Sequence, residues 1–314
     1  MNREAMNPYA DLAGKNAYRG TLHSHSVSAH ARVSPSEAKR KFLRNGFHFI
    51  GLTDHDRRWP EVPWLADEWA QSEPGRFVVL RGYEAGGEGW HVNSIGYFPE
   101  PMPTRAGRGP FVREALAAGG FVFLNHPAAD GVSARSVLEH DELRRIEGIE
   151  VYSGLRASPA GGTDWRRGFS EQVWDELLAA GLRIWSLANP DCHTWDESQP
   201  DGPFNGYNVV FAESLTKTAI VSALKAGRFY ATTGVEVDYV EANPRRISVA
   251  CSAACEIRFI GSRGRLLATT AGPEATYEVR GEEAYVRAEV VAREPIFPGF
   301  AEPRPKAWLQ PLWP

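Results

Sequence analysis

The stretch TLHSHSVSAHARVSP, residues 21–35, carries three of the chain's nine histidines: His23, His25 and His30. In an extended strand, positions i and i+2 point to one face. His23 and His25 can therefore approach one metal ion from adjacent directions. A strand with two solvated histidines would give the same pair, so the spacing needs support from elsewhere. That support comes in groups. Asp54 and His55 follow the apolar run FHFIGL, and Glu84 and His91 flank the glycine-rich loop in GYEAGGEGWHV. His126 follows FVFLN, and Asp191 and His193, again two apart, follow IWSLA. A carboxylate can bridge two ions, which an imidazole does not do. Glu88 shares the loop with Glu84 and reads as a solvated carboxylate. Six histidines and two carboxylates at or just beyond the ends of apolar runs make a multinuclear metal site the best reading.

The elements that must position these groups follow a rhythm. PSEAKRKFLRNG reads as a helix with Pro35 in its first turn and Gly46 at its close. FHFIGLT then reads as a buried strand and DHD as a polar cluster. Helix, strand and polar cluster return in VREALAAGG, FVFLN and HPAAD, and again in EQVWDELLAAG, LRIWSLAN and PDCH. Three further strands are RFVVLRGYE, which ends in Glu84, IEGIEVYS, which carries Glu150, and GYNVVFA. Strands alternating with helices predict a parallel sheet. About seven of them predict an α/β barrel, closed or nearly so, whose chemistry gathers at the strand C-termini. Glu150 would stand behind the ligands, and Asp54 would orient a ligand or move a proton. His48 reads as a core histidine and His140 as a solvated one.

After Gly227 the texture changes to short alternating segments broken by Gly, Pro and Asn. These predict an antiparallel β-domain of about eighty residues. The expected division is a tail over 1–17, a barrel over 18–233 and the β-domain over 234–314. The Pro-rich end, with Trp308 and Trp313, is expected as tail and edge strand.

Composition removes several classes. The formal net charge of -4 lacks the basic excess of a duplex-binding protein. Cys192, Cys251 and Cys255 do not make a disulfide framework. Cys251 and Cys255 leave a bridge between them open, with two small buried thiols the preferred expectation. No run is apolar for long enough to span a bilayer, and the first residues lack a leader's apolar core. A soluble, cytoplasmic protein is expected.

Taken in order, His23-x-His25, Thr53-Asp54-His55, Glu84 with His91, Asn125-His126-Pro127 and Asp191-x-His193 resemble the motifs of the PHP (polymerase and histidinol phosphatase) superfamily. GRFYATTG, the β segments after it and KAWLQPLW resemble one branch, which includes carbaryl and other carbamate ester hydrolases beside uncharacterised phosphoesterases. The resemblance implies a distorted seven-stranded (β/α)7 barrel followed by a small antiparallel, sandwich-like β-domain. It implies two or three divalent ions, zinc, manganese or iron. His23, His25 and Asp191 would hold the first, and Glu84 would bridge to a second held by His91 and His126. His55 and His193 would hold the third, which completes a trinuclear centre. Many members have an aspartate seven residues after the first histidine. His30 stands there here, keeping a ligand but removing a negative charge, which favours zinc or iron over manganese.

The implied activity is hydrolysis of a small phosphate ester by a metal-bridging hydroxide. Asp54, Glu84 and Asp191 would act at the reaction centre, and Arg156 would bind the phosphate. Carboxylic or carbamate ester hydrolysis on the same ions is the alternative. A non-catalytic scaffold ranks last, because no motif is broken. The expected partner is a small-molecule ester, with no duplex nucleic acid and no membrane.

Overall fold

A computed structural model describes residues 5–26, 31–55, 71–86, 89–97, 107–158, 164–199, 201–252, 255–294, 296 and 303–314. The N-terminal part supplies nine strands. These are β1 (Asn16–Thr21), β2 (Phe49–Leu52), β3 (Val78–Ala85), β4 (His91–Ile95), β5 (Phe121–Asn125), β6 (Gly148–Ser153), β7 (Trp185–Asn189), β8 (Tyr207–Ala212) and β9 (Phe229–Thr232). The helices are α1 (Pro35–Arg44), α2 (Arg108–Ala117), α3 (Pro127–Asp130), α4 (Ala134–Glu139), α5 (Gly154–Ala157), α6 (Glu171–Ala179) and α7 (Lys217–Lys225). Among the described residues, none is long and apolar enough to cross a membrane.

Local sequence explains these elements. Ser34 caps α1 by accepting from Glu37 N, Pro35 stands in the first turn, and Ala38 and Phe42 form its buried face. In α7, Thr216 caps Ala219 N, and Ile220, Ala223 and Leu224 face the core. Gly227 ends that helix at φ 70°, where a Cβ would stand 2.7 Å from the Trp185 ring. β5 and β6 are buried along their whole lengths. They therefore read as continuous apolar runs rather than alternating ones.

The strands form one mixed sheet in the order β8-β1-β2-β3-β4-β5-β6-β7. β1, β2 and β3 are parallel, as are β5, β6 and β7. β4 runs against both β3 and β5, which corrects the all-parallel expectation. Only residues 86–90 join β3 to β4, and a parallel crossover needs about a dozen or more. The reversal makes His91 the first residue of its strand rather than the last, yet leaves it at the same end of the sheet as the other candidate ligands.

Among the described residues, the strand ladder does not close into a barrel. β7 ends the order, and one isolated bridge, Ser24 to Cys192, links the chain beyond it to the chain beyond β1. Two asparagines join the seam instead. Asn208 of β8 accepts from Ala188 N at 3.2 Å and donates to Ala188 O at 3.0 Å. Asn189 Oδ1 accepts from Leu22 N at 2.9 Å and Thr21 Oγ1 at 3.2 Å.

Beyond β9 lie β10 (Tyr239–Asn243), β11 (Arg246–Ala250), β12 (Cys255–Gly261), β13 (Arg265–Ala271), β14 (Glu274–Glu278), β15 (Arg287–Ala292) and β16 (Lys306–Leu309). β10, β11 and β14 form a small antiparallel sheet, while β13-β12-β15-β16 continues through β9 into the large one. β16 is thus an internal strand, paired with β15 and β9, and not the edge strand expected. Trp313 extends the packing to the start of the chain, exchanging backbone hydrogen bonds with Met6 and meeting Trp185 edge-on at 5.3 Å. Cys251 and Cys255 stand near each other where β11 gives way to β12, their Cα atoms 7.5 Å apart.

A cavity of about 1030 Å³ lies between α6 and the C-terminal strands. Its charges pair with one another. Arg287 makes two 2.8 Å bonds to the Asp175 carboxylate, and Lys306 Nζ lies 2.9 Å from Glu171 Oε1. It contains none of the candidate ligands.

Candidate metal centre

The candidate ligands converge at one end of the sheet. After β1 the chain stays in register with its neighbours: Thr53 N donates to Ser24 O, and His25 N donates to Cys192 O. These bonds carry His23 and His25 into the interior, where both are fully buried. Trp195 donates its indole N–H to His25 O at 3.0 Å and fixes the same segment from behind. Asp54 accepts from Ser26 N and Ser26 Oγ, both at 2.6 Å. Both of its oxygens are engaged in holding the residue next to His25. His126 and Asp191 adopt positive φ, 27° and 51°, a region that only one other described non-glycine residue enters. Such conformations cost of order 1–3 kcal/mol each and persist where surrounding structure imposes them.

Four atoms form a tight buried group. His23 Nε2 lies 3.1 Å from His25 Nε2, 3.2 Å from Asp191 Oδ1 and 3.4 Å from Glu84 Oε2. His25 Nε2 lies 3.2 Å from each of the same two oxygens. Ligand atoms about 2.1 Å from a tetrahedral zinc ion stand about 3.4 Å apart, so these spacings match the edges of a coordination shell. A second group is Glu84, His91 and His126, and a third is His25, His55 and His193. Glu84 joins the first two: Oε2 faces His23 and His25, while Oε1 lies 3.6 Å from His126 Nε2 and accepts from Asn125 Nδ2 at 2.9 Å. His25 joins the first and third, with ring centroids 4.6 Å from His55 and 4.1 Å from His193.

The donor set fits divalent metal. Glu84 Oε2, Asp191 Oδ2, His25 Nδ1 and His126 Nδ1 are buried without an aligned hydrogen bond. Unpaired polar atoms are costly to bury, and the two carboxylate oxygens, set among imidazole rings, call for a cationic partner. The floor is His23, His25, Glu84, His126 and Asp191. The mouth is formed by His55, His91 and His193, whose side chains are 25%, 22% and 29% exposed. Arg156 stands at the rim, 43% exposed, with Nε 3.9 Å from Asp191 Oδ2.

Two carboxylates stand behind the ligands. Glu150 Oε1 lies 2.8 Å from His23 Nδ1, which places it where the sequence suggested a supporting group. Asp130 was not singled out. Its Oδ2 lies 2.6 Å from His91 Nδ1 and 3.3 Å, without hydrogen-bond alignment, from His126 Nδ1. The signal was present in HPAAD, since a helical turn puts residues i and i+4 on one face.

The electrostatics follow from crowding. Burial lowers the pKa of His23, but Asp191, Glu150 and Glu84 outweigh it and hold the ring well above its usual range. The same competition lifts His25 to about 9, through Asp191 and Glu84, and His126 to about 10, through Asp130 and Glu84. Burial raises Glu84 and Asp191, yet the neighbouring imidazoles pull both carboxyls well below the usual range. His55 falls to about 4, chiefly through burial. His30 and Glu88 lie outside the described residues.

No protein-family model and no curated protein matches the chain. Among solved structures, a two-domain protein from Bacteroides vulgatus containing a predicted PHP-like metal-dependent phosphoesterase is similar at 17% identity and a TM-score of 0.56. The match covers 93% of this chain and 94% of that one. An amidohydrolase from Chromobacterium violaceum, with bound sulfate and no metal, matches 53% of this chain and 85% of its own at 15% identity and a TM-score of 0.37. The first likeness shows that this chain shares the fold of that two-domain protein.

Proposed function

We propose that this PHP-like fold serves as a metal-dependent phosphoesterase acting on a small phosphate ester. The observation that carries the reading is the buried cage of His23 Nε2, His25 Nε2, Glu84 Oε2 and Asp191 Oδ1 beneath a partly open mouth. His23, His25 and Asp191 hold one ion, Glu84 is shared with a second held by His91 and His126, and His55 and His193 serve a third. Zinc, manganese and iron all suit such nitrogen and oxygen donors. Divalent ions there supply Lewis acidity and activate water at neutral pH.

The chain's own residues supply the rest. Glu84 and Asp191 are held as carboxylates and so offer full negative charge to the ions. Asp54, engaged by Ser26, positions the segment that carries His25. Arg156 is a cation at the rim with reach into the mouth, and its planar fork suits phosphate oxygens. The phosphoesterase named in the Bacteroides vulgatus protein supports the same class.

The test has two stages. Metal content of the purified protein is measured by plasma mass spectrometry. Turnover of 4-nitrophenyl phosphate, bis(4-nitrophenyl) phosphate and 4-nitrophenyl acetate is then compared in the wild type and in Arg156→Ala. Metal-dependent phosphate turnover is expected, with KM raised about 10-fold or more by the substitution, the loss of a charge-assisted contact. Faster acetate turnover that ignores Arg156 points to the carboxylic ester reading. Less than one ion per chain, with no turnover after adding manganese, iron or zinc, refutes both.

A further inference from the structure

We propose that Glu150 is a positioning residue that sets the geometry of the first and second metal groups together. The inference rests on the metal-centre reading above. Glu150 is fully buried in β6 and touches both groups through different oxygens. Oε1 lies 2.8 Å from His23 Nδ1, and Oε2 accepts the backbone N–H of His126 at 2.8 Å. His23 belongs to the first group and His126 to the second.

Each contact controls something a ligand needs. A carboxylate only accepts, so His23 must keep its proton on Nδ1. In the neutral ring that metal binding requires, this leaves the Nε2 lone pair facing His25, Glu84 and Asp191. The second contact acts on the backbone. His126 stands at φ 27°, where an L-residue stays only if it is held. Its amide has Glu150 Oε2 as acceptor, and losing that acceptor opens a route back to ordinary φ. The His126 ring would then swing away from Glu84 and His91.

Glu150 is itself held in place. Asn189 Nδ2 donates to Glu150 Oε1 at 2.9 Å, while Asn189 Oδ1 is fixed by Leu22 N and Thr21 Oγ1 of the β1 segment. This arrangement predicts what an isosteric substitution does. In Glu150→Gln, the remaining oxygen stays with the two donors at the Oε1 position, His23 and Asn189. The new amino group then faces the His126 N–H, donor against donor. The substitution therefore weakens the second group, although residue 150 touches none of that group's ligating atoms. Glu150→Ala removes both contacts and weakens both groups.

The experiment is a zinc titration of metal-free wild type, Glu150→Gln and Glu150→Ala against a chromophoric chelator. Far-ultraviolet circular dichroism and melting of the metal-free forms serve as the folding check. We expect Glu150→Gln to keep one tight ion and lose ten- to a hundred-fold in affinity for the next, as supporting carboxylates typically do. Glu150→Ala should lose that much for both. Folded variants with the wild-type isotherm overturn the proposal. So does a Glu150→Gln protein that loses only the tightest ion. If neither variant folds, long-range proton–nitrogen spectra of zinc-loaded wild type decide: His23 protonated at Nδ1 upholds the proposal, and His23 unprotonated there overturns it. A wild type that binds no zinc sinks the metal-centre reading itself, an outcome separate from the other three.

Discussion

Filling this site with metal should expel protons. Glu84 and Asp191 are buried carboxylates, each within 3.4 Å of the His23 ring nitrogens. In the metal-free chain their charge is balanced by protons on imidazoles. His25 titrates near 9, His126 near 10, and His23 well above its usual range, so all three rings are charged at pH 7.5. An ion takes the lone pair that a proton occupies. Occupying the first and second groups therefore displaces about three protons. Each adds one unit to the slope of log affinity against pH, so the combined affinity should climb about a thousand-fold per pH unit between about 6.5 and 8.5. The slope should flatten above about 9, where His25 begins to lose its proton unaided. The assay is calorimetric titration of zinc into metal-free protein at pH 7.5, in buffers of different protonation enthalpy. Plotting observed enthalpy against buffer enthalpy counts the protons released. A slope near zero, or an affinity indifferent to pH, refutes the charge balance argued here.

The same rings set the stability of the metal-free chain. Their folded pKa values lie above the unfolded value of 6.5, so the contribution is complete below that pH and lost as pH rises through about 9 to 10. Melting temperature should fall across that window without zinc and much less with it. Arg287→Met should lower unfolding free energy by about 3–5 kcal/mol in urea, because it leaves the Asp175 carboxylate buried without its cation. Asp54→Asn should weaken metal binding by roughly ten-fold while the metal-free fold keeps its circular dichroism, since the change acts on the Ser26 contacts beside His25.

The sequence showed which side chains converge better than it showed the sheet that assembles them. His-x-His and Asp-x-His were legible because extended backbone imposes a two-residue period, and the apolar runs before them marked strand ends. Helix α1 was legible from Pro35 in its first turn and Gly46 at its close, both local signals. What stayed hidden depends on partners distant in the chain. Nothing within HVNSI says that β4 runs backwards; the short link before it does, through the reach of the chain. Periodicity marked KAWL as a strand but could not say that it has neighbours on both sides. Asp130 was passed over because HPAAD was read as a polar cluster after a strand, and its helical turn is what aims the carboxylate at His91.

β16 gives the molecule a mechanical property. It is four residues long, yet it is the one strand through which β9 and the site-bearing sheet connect to β15, β12 and β13. Removing it would strip two strands at once, leaving β9 and β15 each with a raw row of amide and carbonyl groups. Raw edges of that kind seek other chains. The segment around Trp308 thus guards against self-association as well as joining the two parts of the sheet. A chain trimmed before residue 303 would be expected to collect in aggregates even with every candidate ligand intact.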